Sequence, residues 1–117
     1  MANKIYHLAN CGTCQRIIAE VGDTSTFNKI NIKESNISEK DLDFIASQLG
    51  GYEAVFSKRA MKYRSMGLNE MTLSEADCKR YILEEYTFLK RPVFIIGKEA
   101  FAGNSKKVVA SIKEVLS

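Results

Sequence analysis

Asn10-Cys11-Gly12-Thr13-Cys14 is the stretch from which the rest of the chain can be read. The run Ile5 to Leu8 leads into it as a short buried strand, and Gln15 to Val21 leads out with helical spacing. Two cysteines separated by two residues therefore stand where a strand meets a helix. A thiol at a helix N-terminus faces free backbone N–H groups and the positive end of the helix dipole, and both favour thiolate over thiol. A second thiol one turn on can attack a disulfide made by the first. Cys11 is thus the candidate nucleophile and Cys14 the candidate resolving residue.

A bare C-x-x-C also occurs in zinc sites, but a structural zinc site draws on a second Cys or His pair. The remaining candidates, Cys78 and His7, are far apart and unpaired, so no metal is expected. The plainest alternative is that the two cysteines are small, half-buried residues without chemical use.

Composition narrows the field. A chain of 117 residues suits one domain, expected over 1–117. With 26% charged and 45% hydrophobic residues it has the makings of a folded core. A net charge of +3 is too small to argue nucleic-acid binding on its own. No apolar run is long enough for a membrane span, and the N-terminus lacks a signal-peptide pattern. We therefore expect a cytoplasmic monomer, in a compartment where three cysteines mean reactivity or burial rather than a disulfide scaffold.

Helix and strand signals then alternate along the chain. Lys4 to Leu8 reads as a strand, Thr13 to Val21 as a helix closed by Gly22-Asp23, and Thr26 to Ile32 as a second strand. Ser38 looks like an N-cap, with Asp41 at the third helical position and Ile37 and Leu42 as a hydrophobic staple; Gly50-Gly51 stops that helix. From about Tyr52 to Leu89 the pattern is helical. Val55, Phe56 and Lys58 to Tyr63 are expected in one short helix ending near Gly67. Ser74 and Asp77 are expected to cap another, with Ile82, Leu83 and Tyr86 on its apolar side and Cys78 facing the core. Val93 to Ile96 is a continuous apolar strand, Gly97-Lys98-Glu99 a tight turn and Ala100 to Ala102 the returning strand. Asn104 is read as the cap of a last helix that buries Val108, Val109, Ile112, Val115 and Leu116. The order β-α-β-α, a helical insert at about 52–89, then β-β-α is that of an α/β, thioredoxin-like (glutaredoxin-like) fold on a mixed four-stranded sheet. Pro92 opens a strand, where its missing N–H costs no ladder bond.

Five groups of residues together resemble the glutaredoxin-linked arsenate reductase (ArsC) family, which includes the Spx-type transcription regulators. They are Tyr6-His7, Cys11-Gly12-Thr13, Lys58-Arg59, Met66-Gly67-Leu68 and Lys90-Arg91-Pro92-Val93. The resemblance implies a cis peptide at Pro92. It makes Cys11 the redox cysteine that attacks arsenate, His7 a residue that helps form the thiolate, and Arg91 an oxyanion ligand. The match is a hybrid. Ser57 stands where the reductases carry an arginine, and Arg59 has the Spx-type placement. Gly103-Asn104 stands where a third arginine is usual, Ala9-Asn10 replaces the usual proline segment before the cysteine, and Cys14 completes an Spx-like C-x-x-C.

Two functions follow. In the first, the chain is a thiol-dependent reductase of a small oxyanion or disulfide. Arg91 and Arg59 supply cations, and Gly12 and Thr13 supply helix-terminal donors. It needs no resident cofactor; glutathione, glutaredoxin or thioredoxin is the expected electron donor. In the second, Cys11–Cys14 is the switch of a regulator that docks on the C-terminal domain of the RNA polymerase α subunit, without direct nucleic-acid contact. Arg59 can also be a solvated charge beside Lys58, Lys62 and Arg64, and His7 a strand-end surface residue.

Overall fold

The computed structural model describes residues 3–117. Strand β1 (Lys4–His7) runs into helix α1 (Gly12–Glu20), followed by β2 (Asn28–Asn31) and α2 (Glu39–Leu49). Short helical pieces come next: 3-10 turns at Glu53–Val55, Leu68–Glu70 and Tyr86–Phe88, and helices α3 (Met61–Ser65) and α4 (Glu75–Glu84). Strands β3 (Val93–Ile96) and β4 (Glu99–Ala102) and helix α5 (Lys106–Leu116) close the chain. The sheet order is β2-β1-β3-β4. β1 lies parallel to β2, with Tyr6 opposite Ile30, and antiparallel to β3, with Ile5 opposite Phe94. This is the mixed four-stranded, thioredoxin-like α/β arrangement expected from the order of elements.

The period-2 alternation of a strand divides the core in two. Ile5 and Phe94 face α1 and α5 and pack with Ile17, Ile18, Phe27, Val109 and Ile112. Tyr6, Val93 and Ile95 point the other way, into a larger cluster with Leu42 and Ile45 of α2 and Phe56, Leu68, Ile82, Phe88 and Leu89 of the insert. Caps set the helix limits. Ser38 accepts from the Asp41 N–H, as expected, and Gly50 ends α2 with φ 95°, a conformation that an L side chain resists. Ser74 and Asp77 form a reciprocal capping box on α4. The Arg91–Pro92 peptide is cis.

Some local expectations give way. Phe56 to Arg59 is not helical: Phe56 pairs with Leu89 in an isolated antiparallel bridge, Ser57 N donates to Phe88 O at 2.7 Å and Lys90 N to Val55 O at 2.9 Å. A partner more than thirty residues away overrides the local helical pattern. α5 is capped by Ser105 rather than Asn104, its hydroxyl accepting from Val108 N, and Val115 points outward at 40% exposure. Tyr86 leaves α4 for the 3-10 turn that follows it. The second strand begins at Asn28, two residues later than its β-branched start suggested.

Candidate active site

Cys11 is the N-cap of α1, with φ −97° and ψ 110°, and no side chain caps the helix there. Its own N–H bonds Leu8 O at 3.0 Å, closing the turn out of β1, and its carbonyl accepts from Gln15 N at 3.2 Å. The first N–H groups of α1 are thereby left for the sulfur. Partial burial works against the Cys11 thiolate. Hydrogen bonds from the Cys14 backbone and thiol, the positive charge of Arg91 nearby and a hydrogen bond from the Thr13 backbone outweigh it and hold the thiol below its ordinary range. Cys14, with no exposed surface, is pushed up to about 11, first by burial and further by the adjacent Cys11 sulfur. Two neighbouring thiols are thus driven apart: the outer one toward the anion, the inner one toward a protonated donor. All three cysteines are free thiols. Cys78 lies on the buried face of α4 and is raised by that burial and by Glu75, Glu53 and Asp77, so it is a core thiol, as its spacing suggested.

A cleft of about 850 Å³ opens over Cys11 and Thr13. The insert supplies one wall, Phe56 to Arg59; Leu89 to Arg91 supplies another; Ala102 to Ser105 and Val108 supply the third. The Phe56–Leu89 bridge therefore brings Lys58-Arg59 and Lys90-Arg91 to the same opening. Arg91 is half-buried, and its Nη1 is anchored on Thr87 O at 3.2 Å and Leu89 O at 3.3 Å. Among the described residues its Nη2 and Nε make no hydrogen bond, which leaves one edge of the guanidinium for a ligand. Arg59 is exposed and lines the cleft, as do Ser57 and Gly103-Asn104, which stand at the positions where arginines were expected for the reductase pattern.

His7 and Gly12 lie elsewhere. His7 ends β1 with its Nδ1 3.3 Å from Gln15 Nε2, and burial, then Lys29, lowers its pKa. Gly12 is the exposed first residue of α1; neither residue lines the cleft. Three supporting residues carried no sequence signal. Asn31 Oδ1 accepts from Ala9 N at 3.3 Å and steadies the loop before Cys11. Gln15 Nε2 bridges His7 and Leu8 O. Thr87 fixes Arg91. Among the described residues no group of three His, Cys, Asp or Glu is placed to hold a metal ion, and no helix is long and apolar enough to cross a membrane.

The family model for ArsC matches residues 6–112, a span that includes Cys11, Cys14, Arg59 and Arg91. The chain belongs to the ArsC family. No curated protein matches the ArsC chain significantly. Solved structures share its fold. An arsenate reductase from Vibrio cholerae has a TM-score of 0.78 at 22% identity, over 96% of this chain and 98% of that one. A protein from Staphylococcus aureus COL gives 0.71 at 22% identity, over 93% and 96%. An arsenate reductase (ArsC) related protein from Brucella melitensis gives 0.67 at 17% identity, over 92% and 90%. At these identities the likeness is one of fold.

Proposed function

We propose that this ArsC-family chain is a thiol-dependent oxidoreductase in which Cys11 is the nucleophile and Cys14 the resolving thiol. The observation that carries this reading is the paired setting of the two sulfurs. Cys11 opens on the cleft at an uncapped helix N-terminus, and the buried Cys14 donates to it. The Cys11 thiolate attacks one sulfur of a disulfide substrate. The old S–S bond breaks, a mixed disulfide forms and the other sulfur leaves as a thiolate. Cys14 then loses its proton to solvent and attacks the Cys11 sulfur. This releases the second substrate thiolate and leaves a Cys11–Cys14 disulfide, so two electrons have passed to the substrate. With arsenate the same sulfur displaces water at As(V). Attack by Cys14 or by glutathione on that sulfur expels As(III) and leaves a disulfide. Glutathione, glutaredoxin or thioredoxin restores the thiols.

Arg91, with Arg59, supplies the positive charge for an oxyanion, and Thr13 N–H adds a helix-terminal donor. Two arginines instead of three favour a disulfide over arsenate as the working substrate. The test is the intact mass of reduced protein after incubation with arsenate and glutathione, or with an oxidised low-molecular-mass disulfide. Wild type is compared with Cys11→Ser and Cys14→Ser. Gain of one glutathione, or loss of two hydrogens, that disappears in Cys11→Ser is the expected result. Adduct formation that survives Cys11→Ser rules the mechanism out.

A further inference from the structure

The cations of this chain are unevenly committed. Lys4, Arg16, Lys62, Lys79, Arg80 and Lys113 are paired with carboxylates away from the cleft opening. Around the cleft, as at Lys29, Lys33, Lys40, Arg64 and Lys98 elsewhere, the cations go largely unpaired among the described residues. Among the described residues Arg59, Lys90, Lys106 and Lys107 form no ion pair, and Lys58 reaches only Glu53, at 3.6 Å. Lys106 and Lys107 are placed against local electrostatics. They open α5, where positive charge opposes the helix dipole and where the first turn holds no acid. Helices α2 and α4, by contrast, begin with Glu39 and Asp41 and with Glu75 and Asp77. Lys58, Arg59, Lys90 and Arg91 line the cleft directly, and Ser105 and Val108, which bracket Lys106 and Lys107 in sequence, line it too. Unpaired like charges at an unfavourable helix start cost stability and return none, unless something negative comes to them.

The opening at about 850 Å³ is far larger than a tetrahedral oxyanion, which is the size of a few water molecules at about 30 Å³ each. Its lining also has apolar surface, from the half-buried Ala54, Ala102 and Val108. We propose that this cationic rim is a docking surface for an acidic protein segment, which presents to Cys11 the disulfide it attacks. The proposal rests on the thiol-oxidoreductase reading of the same site. A nucleic acid fits the observations less well. The net charge is only +3, and Phe56, the aromatic residue in the cleft lining, is 1% exposed and offers no face for a base to stack on. Complementary charge acts mainly on encounter, so the signature is a rate that falls with salt.

The experiment uses three short peptides, glutamate-rich, serine/glycine-rich and lysine-rich. Each carries one cysteine activated as a mixed disulfide with 2-thiopyridine. The Cys11 thiolate attacks the peptide sulfur, the peptide–thiopyridine S–S bond breaks, and 2-thiopyridone leaves with a proton from solvent and is read by absorbance. The acidic peptide is expected to react roughly tenfold faster than the neutral one at low ionic strength. That advantage is expected to disappear in 1 M salt, where the Debye length is about 3 Å. In Lys106→Glu/Lys107→Glu, a change that suits the helix dipole and so spares folding, the acidic-to-neutral rate ratio is expected to drop severalfold. Lys98→Glu/Lys113→Glu, with the same charge change at the β3–β4 turn and the far end of α5, is expected to keep it. Equal rates for all three peptides, or a ratio untouched by Lys106→Glu/Lys107→Glu, overturns the proposal. So does an oligonucleotide of matched charge that blocks the reaction better than an unreactive acidic peptide. If neither the neutral peptide nor uncharged 2,2′-dithiodipyridine reacts with Cys11, the thiol reading itself falls. Reaction of both without an acidic preference removes the docking surface alone.

Discussion

Phe88→Ala reaches the cleft through its support. Phe88 is fully buried and is not itself a lining residue. Its ring stacks on Phe56 at 5.1 Å and 16° and meets Tyr81 edge-on at 5.9 Å, while its carbonyl takes the Ser57 N–H at 2.7 Å. The ring therefore backs the Phe56–Leu89 bridge, which sets Lys58-Arg59 against Lys90-Arg91. Truncating a buried Phe to Ala costs about 3–5 kcal/mol. Phe88→Leu keeps most of the volume and forfeits the two aromatic pairs, at about 0.5–1.5 kcal/mol each, for a loss of about 1–3 kcal/mol. Against a domain stability of about 5–15 kcal/mol, alanine takes a large share and leucine a modest one. Urea unfolding followed by circular dichroism separates the two, provided the slope with denaturant is unchanged. The surviving folded fraction of Phe88→Ala should keep a reactive Cys11, because β1 and α1 carry the thiol, and should lose the acidic-peptide preference, because the displaced walls carry the charge. A loss below about 1 kcal/mol for alanine, or an alanine variant no less stable than the leucine one, refutes the reasoning.

Three further outcomes are expected. The rate of iodoacetamide reaction at Cys11 should rise with pH at a midpoint below that of free cysteine. Arg91→Met and Cys14→Ala should each move that midpoint upward; a midpoint indifferent to both denies that these groups stabilise the thiolate. Asp41 is partly buried, which raises its pKa, but hydrogen bonds from Tyr6 Oη and Lys4 Nζ prevail and hold the carboxyl below the usual carboxylate range. Its contribution is thus complete above the unfolded value of about 3.9 and is lost as pH falls through the lower folded value; Asp41→Asn should flatten the acid limb of a stability–pH curve, and an unchanged limb counts against the pairing. Ser74→Ala removes the cap of α4 and should cost about 1 kcal/mol in a urea titration, with no loss marking the capping box as idle.

Much of this architecture was legible in the residues. The apolar run before Cys11 and the helical spacing after Cys14 place the cysteines correctly, because both signals are local. Ser38 and Ser74 announce their helices for the same reason. What could not be read locally is the cleft. Phe56 to Arg59 looks helical from its own neighbours, yet a bridge to Leu89 decides its conformation. Lys58 and Lys90 are ordinary surface lysines in sequence; only the converging walls show that they border one opening, next to the Ser105 cap of the helix that Lys106 and Lys107 begin. Cys14's burial, by contrast, follows from its helical spacing with Ile17, Ile18 and Val21.

That burial has a practical side. Of the three sulfurs, Cys14 and Cys78 are 0% and 2% exposed, and Cys11 reaches the surface. To a reagent too bulky to follow a local opening, a chain with three cysteines behaves as a chain with one. A spin label or fluorophore can accordingly be seated on Cys11, under the Arg91 wall, in the unmutated protein. Its mobility then reports directly on whatever enters the opening.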